Sequence, residues 1–169
     1  VAVSVFVLRL PPPPQLASSL IKNPGFETGT GTPGNWQKYR WGTNTPTFTW
    51  DSTDKHSGAY AAKVSMSSYT SGEAGWAQDF KSLIVGAQYK VRCWYKSNVQ
   101  VTLFAFFFDA NWKYIGCNAL TLSASSSWTQ SPYLYFKPPS GCIFVKVIVS
   151  LKKVGWVSVD DFEMYPVSA

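Results

Sequence analysis

The sequence predicts an all-β chain folded as a sandwich, on three observations. From Leu20 onward, short apolar runs are broken by Gly, Pro, Ser, Thr and Asn. No segment keeps a helical period of apolar residues over three turns. Several runs alternate with a period of two, which sends successive side chains to opposite faces of a strand. Strands are expected near 20–23, 47–51, 59–66, 75–81, 88–97, 99–109, 112–116, 118–122, 128–137, 143–151 and 155–165.

Alternation assigns the faces. In 88–97, Tyr89, Val91, Cys93 and Tyr95 share the parity of a core face, and Lys90, Arg92, Trp94 and Lys96 share the outer one. In 99–109 both parities are apolar: Val101, Leu103, Ala105 and Phe107 form one stripe, and Thr102, Phe104, Phe106 and Phe108 the other. A strand apolar on both faces is covered on both, here by the core and by a loop or ligand. In 128–137, Trp128, Leu134 and Phe136 are expected inside, with Tyr133 and Tyr135 outside.

The 169 residues suit one domain. Residues 1–19 differ in texture: Val1 to Leu10 is apolar apart from Arg9, and Pro11 to Pro14 follow. That run is too short to span a bilayer and lacks the basic start of a signal peptide. A Pro-rich run stiffens into a spacer. We therefore read 1–19 as leader, linker or appended segment and 20–169 as the module. No other stretch is expected to enter a membrane. Aromatic residues make up 17 % of the chain, more than one sandwich core needs, while charged residues are only 14 %. The surplus fits an exposed stacking surface or a core that favours large residues. The net charge of +6 reflects only 9 carboxylates, and Lys and Arg form no cluster. A nucleic-acid partner is thereby disfavoured, whereas an acidic polymer stays open.

Catalytic material is scarce. The single histidine, His56, lies in a turn-like segment, so neither a His triad nor a multi-His metal site can be built. Paired carboxylates for glycoside hydrolysis remain conceivable, but most acids fall in turns or at strand ends. Cys93, Cys117 and Cys142 allow at most one internal bridge, and Cys93 reads as a buried apolar residue. Acids also mark both ends of the module, in Asn23-Pro24-Gly25-Phe26-Glu27 and Val159-Asp160-Asp161-Phe162. They either share a cation or cap a strand; residue types do not choose.

Leu20-Ile21-Lys22-Asn23-Pro24-Gly25-Phe26-Glu27 resembles the opening of carbohydrate-binding modules of the family 4/9/16/22-like superfamily. Later segments are similar in the same order: His56 to Val64, Trp76-Ala77-Gln78, Tyr89 to Ser97, Trp128-Thr129, Pro138 to Gly141 and Gly155 to Phe162. The resemblance covers roughly 20–165. It implies a β-jelly roll of two antiparallel sheets with a concave ligand face. It also implies a structural Ca2+ held by the side chains of Glu27 and Asp160 and a carbonyl around Lys55. Two segments depart from the pattern: Trp112 stands where such modules often have Gly, and 104–108 is unusually rich in Phe.

A sugar ring stacks its C–H face on an aromatic ring and needs polar partners at its rim. The candidate platforms are Trp76, Trp94, Phe106, Tyr133 and Tyr135, with Gln78, Arg92 and Lys146 as polar partners; each platform would equally serve as core. Trp128 and Trp156 look structural, and Trp36 and Trp41 lie in a loop able to line a groove edge. The reading is a secreted, non-catalytic, monomeric module. It holds a polysaccharide or oligosaccharide of the β-glucan, mannan or xylan class and targets a tethered catalytic domain to it. The alternatives are a small jelly-roll glycosidase or lyase, and a structural or adhesion domain that binds protein.

Overall fold

A computed structural model describes residues 18–168. Eleven strands run as β1 Gln37–Trp41, β2 Asn44–Asp51, β3 Ala61–Tyr69, β4 Glu73–Phe80, β5 Tyr89–Ser97, β6 Val101–Phe108, β7 Tyr114–Leu122, β8 Ser125–Gln130, β9 Leu134–Phe136, β10 Phe144–Ser150 and β11 Gly155–Pro166. They form two antiparallel sheets. One has the order β1-β4-β10-β6-β7; the other has β2-β3-β11-β5-β8, with β9 also pairing β5. This is the expected all-β sandwich. Among the described residues no helix is long and apolar enough to cross a membrane. The expected leader falls almost wholly on residues outside those described.

The core lies between the sheets, and alternation found it. Val91 and Cys93 of β5 and Leu103 and Ala105 of β6 are fully buried, opposite Val145, Val147 and Val149 of β10. Cys93, Cys117 and Cys142 are all free, and burial pushes the Cys93 thiol up. Such a thiol behaves as a small hydrophobe.

Four element assignments change. Residues 20–23 form no ladder strand, although the Leu20 N–H donates to the Met164 carbonyl at 2.8 Å. Asn23 takes a φ of 50° and Pro24 has no N–H to give, so pairing stops there. β1 is missing from the sequence reading because it is an edge strand, pairing β4 alone, and its residues are mostly exposed. Without a core face it shows no apolar alternation. The segments 112–116 and 118–122 are one strand, β7, whose register is bulged where Gly116 meets Phe107. The run 128–137 is two strands, because Ser131 and Pro132 leave the ladder. There the Ser131 N–H donates to the Cys93 carbonyl (2.8 Å), and its hydroxyl accepts from the Cys93 N–H (3.1 Å).

Candidate binding groove and candidate metal centre

The outer face of the five-stranded sheet carries a groove of about 600 Å³. Its floor comes from the second parity of β6: Phe104 and Phe106 stack at 4.5 Å, and Phe108 continues the row. β1 supplies Tyr39 and Trp41 on one side, β7 supplies Tyr114 and Cys117 on the other, and Glu73 and Lys152 are the charged lining groups. Trp41 and Tyr114 are half-exposed, at 54 % and 52 %. The apolar second stripe of β6 thus faces this groove.

The polar groups of the groove are set by register. Glu73 lies directly opposite Trp41, and the Trp41 indole N–H donates to its Oε1 at 2.7 Å. The other oxygen, Oε2, is buried with no hydrogen-bond partner among the described residues. Burial, then the charges of Glu73 and Asp79, raise the Tyr39 hydroxyl above its ordinary value. Tyr114 is pushed up to about 12, first by its hydrogen bond with Cys117 and then by burial. Both phenols are therefore protonated at neutral pH. Farther along the same face, buried Lys146 pairs with Asp79 at 2.7 Å and lies 4.8 Å from the Tyr39 ring. Trp112 stacks on Phe144 at 4.0 Å, and it does so from a φ of 60°. A left-handed non-Gly residue costs roughly 1–3 kcal/mol. Both departures from the family pattern, Trp112 and the Phe run, thus place rings on this one face.

The sequence-derived platforms do not meet at one site. Phe106 alone of the five platforms and three polar partners lines the groove. Trp76 and Gln78 are a correction: both point inward from β4. Trp76 is 2 % exposed and its N–H donates to the Lys63 carbonyl. The Gln78 amide holds Lys22 by two backbone hydrogen bonds of 2.8 Å. With Ala74 and Ala77 both small, β4 shows no parity signal in sequence. Arg92, Trp94, Tyr133 and Tyr135 are outward, but on the other sheet. Arg92 pairs with Glu163 and lies 4.2 Å from the Tyr133 ring. The Tyr133 hydroxyl donates to Glu163. Trp94 stacks on His56 at 3.8 Å, and Tyr135 is half-exposed beside Tyr133. Trp128, expected inside, lies near His56 and donates its N–H to Asp54, so it too belongs to this outer face. Of the two loop tryptophans, Trp41 lines the groove while Trp36 is core, packed on Phe26 at 4.6 Å. Sequence reasoning missed Tyr39, Glu73, Phe104, Tyr114 and Lys152 as site residues. The both-parities-apolar pattern of β6 was the one signal pointing to them.

The acids of the two chain ends do meet. Glu27 accepts the N–H groups of Ala59 (2.9 Å) and Tyr60 (3.2 Å). Asp160, fully buried, accepts those of His56 (3.0 Å) and Ser57 (3.1 Å). Asp161, at φ 45° in a break of the β11 register, bonds His56 Nδ1 at 2.6 Å. A Cβ added at Gly25 would sit 3.1 Å from Asp161 Oδ1, 3.5 Å from Glu27 Cγ and 3.8 Å from Asp160 Oδ1. Gly25 thus lies against Asp160 and Asp161, while the Glu27 carboxylate is turned to the Ala59 and Tyr60 N–H groups; the ligand atoms that lie within 4.8 Å of one another are those of His56, Asp160 and Asp161. Burial, helped by the Asp161 charge, raises Asp160 to about 6. No Lys or Arg is paired with Asp160 among the described residues, so the donor set fits a hard cation that prefers oxygen. The Lys55 ammonium donates to the Ser52 carbonyl.

No family model and no curated protein matches the chain. Solved structures do. A CBM22-1 xylan-binding domain from Paenibacillus barcinonensis Xyn10C superposes with a TM-score of 0.65 at 14 % identity, over 86 % of this chain and 92 % of that one. TmCBM61, solved with β-1,4-galactotriose, gives 0.57 at 22 % identity over 89 % of this chain and 100 % of that one. The enzymatically active domain of bacteriophage CBA120 tailspike protein 4 gives 0.66 at 14 % identity over 88 % of this chain, which spans only 21 % of that one. At such identities the likeness is one of fold: the β-sandwich of carbohydrate-binding modules.

Proposed function

We propose that the chain is a non-catalytic carbohydrate-binding module that holds a polysaccharide of the β-glucan, mannan or xylan class in the groove of the five-stranded sheet. The observation that carries this is the open aromatic channel of Phe104, Phe106, Phe108, Tyr39, Trp41 and Tyr114, with polar atoms between the rings. Flat apolar surface with a few convergent polar groups is what a pyranose chain needs. The fold likeness to a xylan-binding domain and to a module solved with galactotriose supports it. In this reading the module belongs to a secreted protein and brings a tethered glycan-active domain to its polymer.

The carboxylates argue for binding over hydrolysis. Glu73 is the one acid lining the groove among the described residues, and Asp79 is six positions along the same strand. That spacing is roughly 20 Å along a strand, against the 5–10 Å or so that a glycosidase pair uses. Affinity electrophoresis on xylan, mannan and mixed-linked β-glucan tests the reading, with reducing-end release measured in parallel. Retardation on at least one polymer without release of ends is expected. No retardation on any of them, or sustained turnover, overturns it.

We also propose that Glu27, Asp160 and Asp161 hold a structural Ca2+, which would neutralise the buried acids and pin the opening segment to β11. Chelator should lower the melting temperature, and Asp160→Ala should abolish that response. An unchanged melting curve in chelator overturns the site.

A further inference from the structure

We infer that Trp112 forms a further stacking subsite, outside the groove and continuous with it, so that this face reads the length of a glycan and prefers long chains to short ones. This rests on the reading of the groove as a glycan site.

The hairpin between β6 and β7 is closed by Asp109. Its carbonyl accepts the Trp112 N–H at 3.1 Å, and its N–H donates to the Lys113 carbonyl at 3.0 Å. Its Oδ1 accepts the N–H groups of Asn111 (2.8 Å) and Lys113 (3.0 Å). A loop of this kind needs one residue in the left-handed region shortly before the second strand, and glycine is the ordinary choice. Trp112 takes that place, at φ 60°. A bulky residue there is an outlier, and strain of this sort gathers at ligand clamps. The turn carries the indole back over the sheet and onto Phe144, with centroids 4.0 Å and planes 10° apart. Phe144 closes one face of the indole, yet Trp112 is still 46 % exposed. Packing alone does not account for a ring that stays half in water at a position suited to glycine. Neither Trp112 nor Phe144 lines the groove, but Phe108 does. Phe108 lies 5.6 Å from Trp112 and pairs with Phe144 in the ladder, so groove floor and outer ring adjoin. Trp41 stands at the other end of the face, opposite Glu73, whereas Lys146, 5.6 Å from Trp112, is opposite Asp79. Those two positions of β4 are roughly 20 Å apart along the strand. The row of rings is therefore longer than the groove. A chain already seated on the Phe104–Phe108 floor meets Trp112 as an intramolecular contact, which raises affinity at little further entropic cost. The hydrogen-bonded turn holds the ring in place beforehand, which lowers the ordering cost again.

Calorimetry of the full chain tests this, with the trioses and hexaoses of β-1,4-linked xylose, mannose and glucose as short and long probes. For the sugar that binds, the hexaose should bind wild type about tenfold more tightly than the triose. Trp112→Gly removes the ring and suits the left-handed φ, so the hairpin keeps its turn. In that variant the hexaose should weaken by about tenfold, and the ratio of hexaose to triose affinity should fall toward one. Trp112→Phe keeps a ring at the position and should keep most of the length preference, so the idea stays testable should Trp112→Gly fail to fold. Wild type binding triose and hexaose equally, or a folded Trp112→Gly with the wild-type ratio, overturns the inference. Trp41→Ala separates the two failures. If no probe binds wild type, the glycan reading falls and this inference with it. If both probes bind and Trp41→Ala weakens both, while Trp112→Gly leaves their ratio unchanged, only the subsite at Trp112 falls.

Discussion

Both outer faces of the sandwich are rich in rings, yet their polar atoms differ in one respect. On the six-stranded sheet those beside the rings are answered, although the buried Ser158 hydroxyl has no partner among the described residues. Glu163 takes the hydroxyls of Tyr133 and Tyr165 and the Arg92 guanidinium. Asp54 takes the Trp128 N–H and Lys96, and Trp94 is covered by His56. Beside the groove, the buried Glu73 Oε2 has no partner among the described residues, and Trp41 and Tyr114 stand half-exposed. An outward aromatic is therefore not by itself a binding signal. The useful question is whether the polar atoms around it are satisfied from within. In the proposed reading, one face serves stability and the other recognition.

Chelation should give the largest effect. A metal bound only by the folded state contributes about 2.7 kcal/mol at a hundredfold excess over its dissociation constant. Because the three acids lie at the chain ends and not in the groove, chelator should lower the melting temperature while leaving glycan affinity at 25 °C unchanged. A parallel loss of affinity would mean that the two regions are coupled.

Trp41→Ala sharpens the contrast next. Loss of a central ring anchor should weaken glycan binding by about 2 kcal/mol, or roughly thirtyfold. Tyr135→Ala, a ring of similar exposure on the other sheet, should bind within twofold of wild type. Both should melt near wild type. The reverse pattern in titrations of the two variants would exchange the roles of the faces.

The smallest effect is a pH dependence confined to the six-stranded side. Asp54 is held below the ordinary range by its hydrogen bond from Lys96 and then by that from Trp128, against burial. Burial of Glu163 works upward, but hydrogen bonds from Tyr133 and Arg92 outweigh it and leave it lowered. For depressed carboxylates, stability is present above the unfolded values, about 4, and is lost as pH falls through the folded ones. Asp160 works in the opposite sense. Raised to about 6, it stabilises the metal-free fold below its unfolded value and loses that contribution as pH rises through 6. In chelator, melting temperature should therefore rise as pH falls from 7 toward 4 and drop below 4. Asp54→Asn should flatten the acid limb, and a melting curve unaffected by pH would remove both assignments.

Much of the architecture was legible in the chain. Strand parity identified the buried stripes of β5 and β6. β1 was invisible because an edge strand has no core-facing alternation to show. The face proposed to bind glycan was only partly legible. Phe106 and Trp94 both point outward by parity, and nothing local says that they point away from opposite sheets.

By itself, the sequence determined the fold class and the inner stripes of β5 and β6. These follow from short-range alternation. Only the tertiary structure decided which outward rings share a surface and which polar atoms are left without a partner. Sheet membership depends on hydrogen bonds between strands far apart in the chain. Trp41 meets Glu73 across 32 positions, and only that pairing turns a scattered set of aromatics into a groove with an acceptor at its edge.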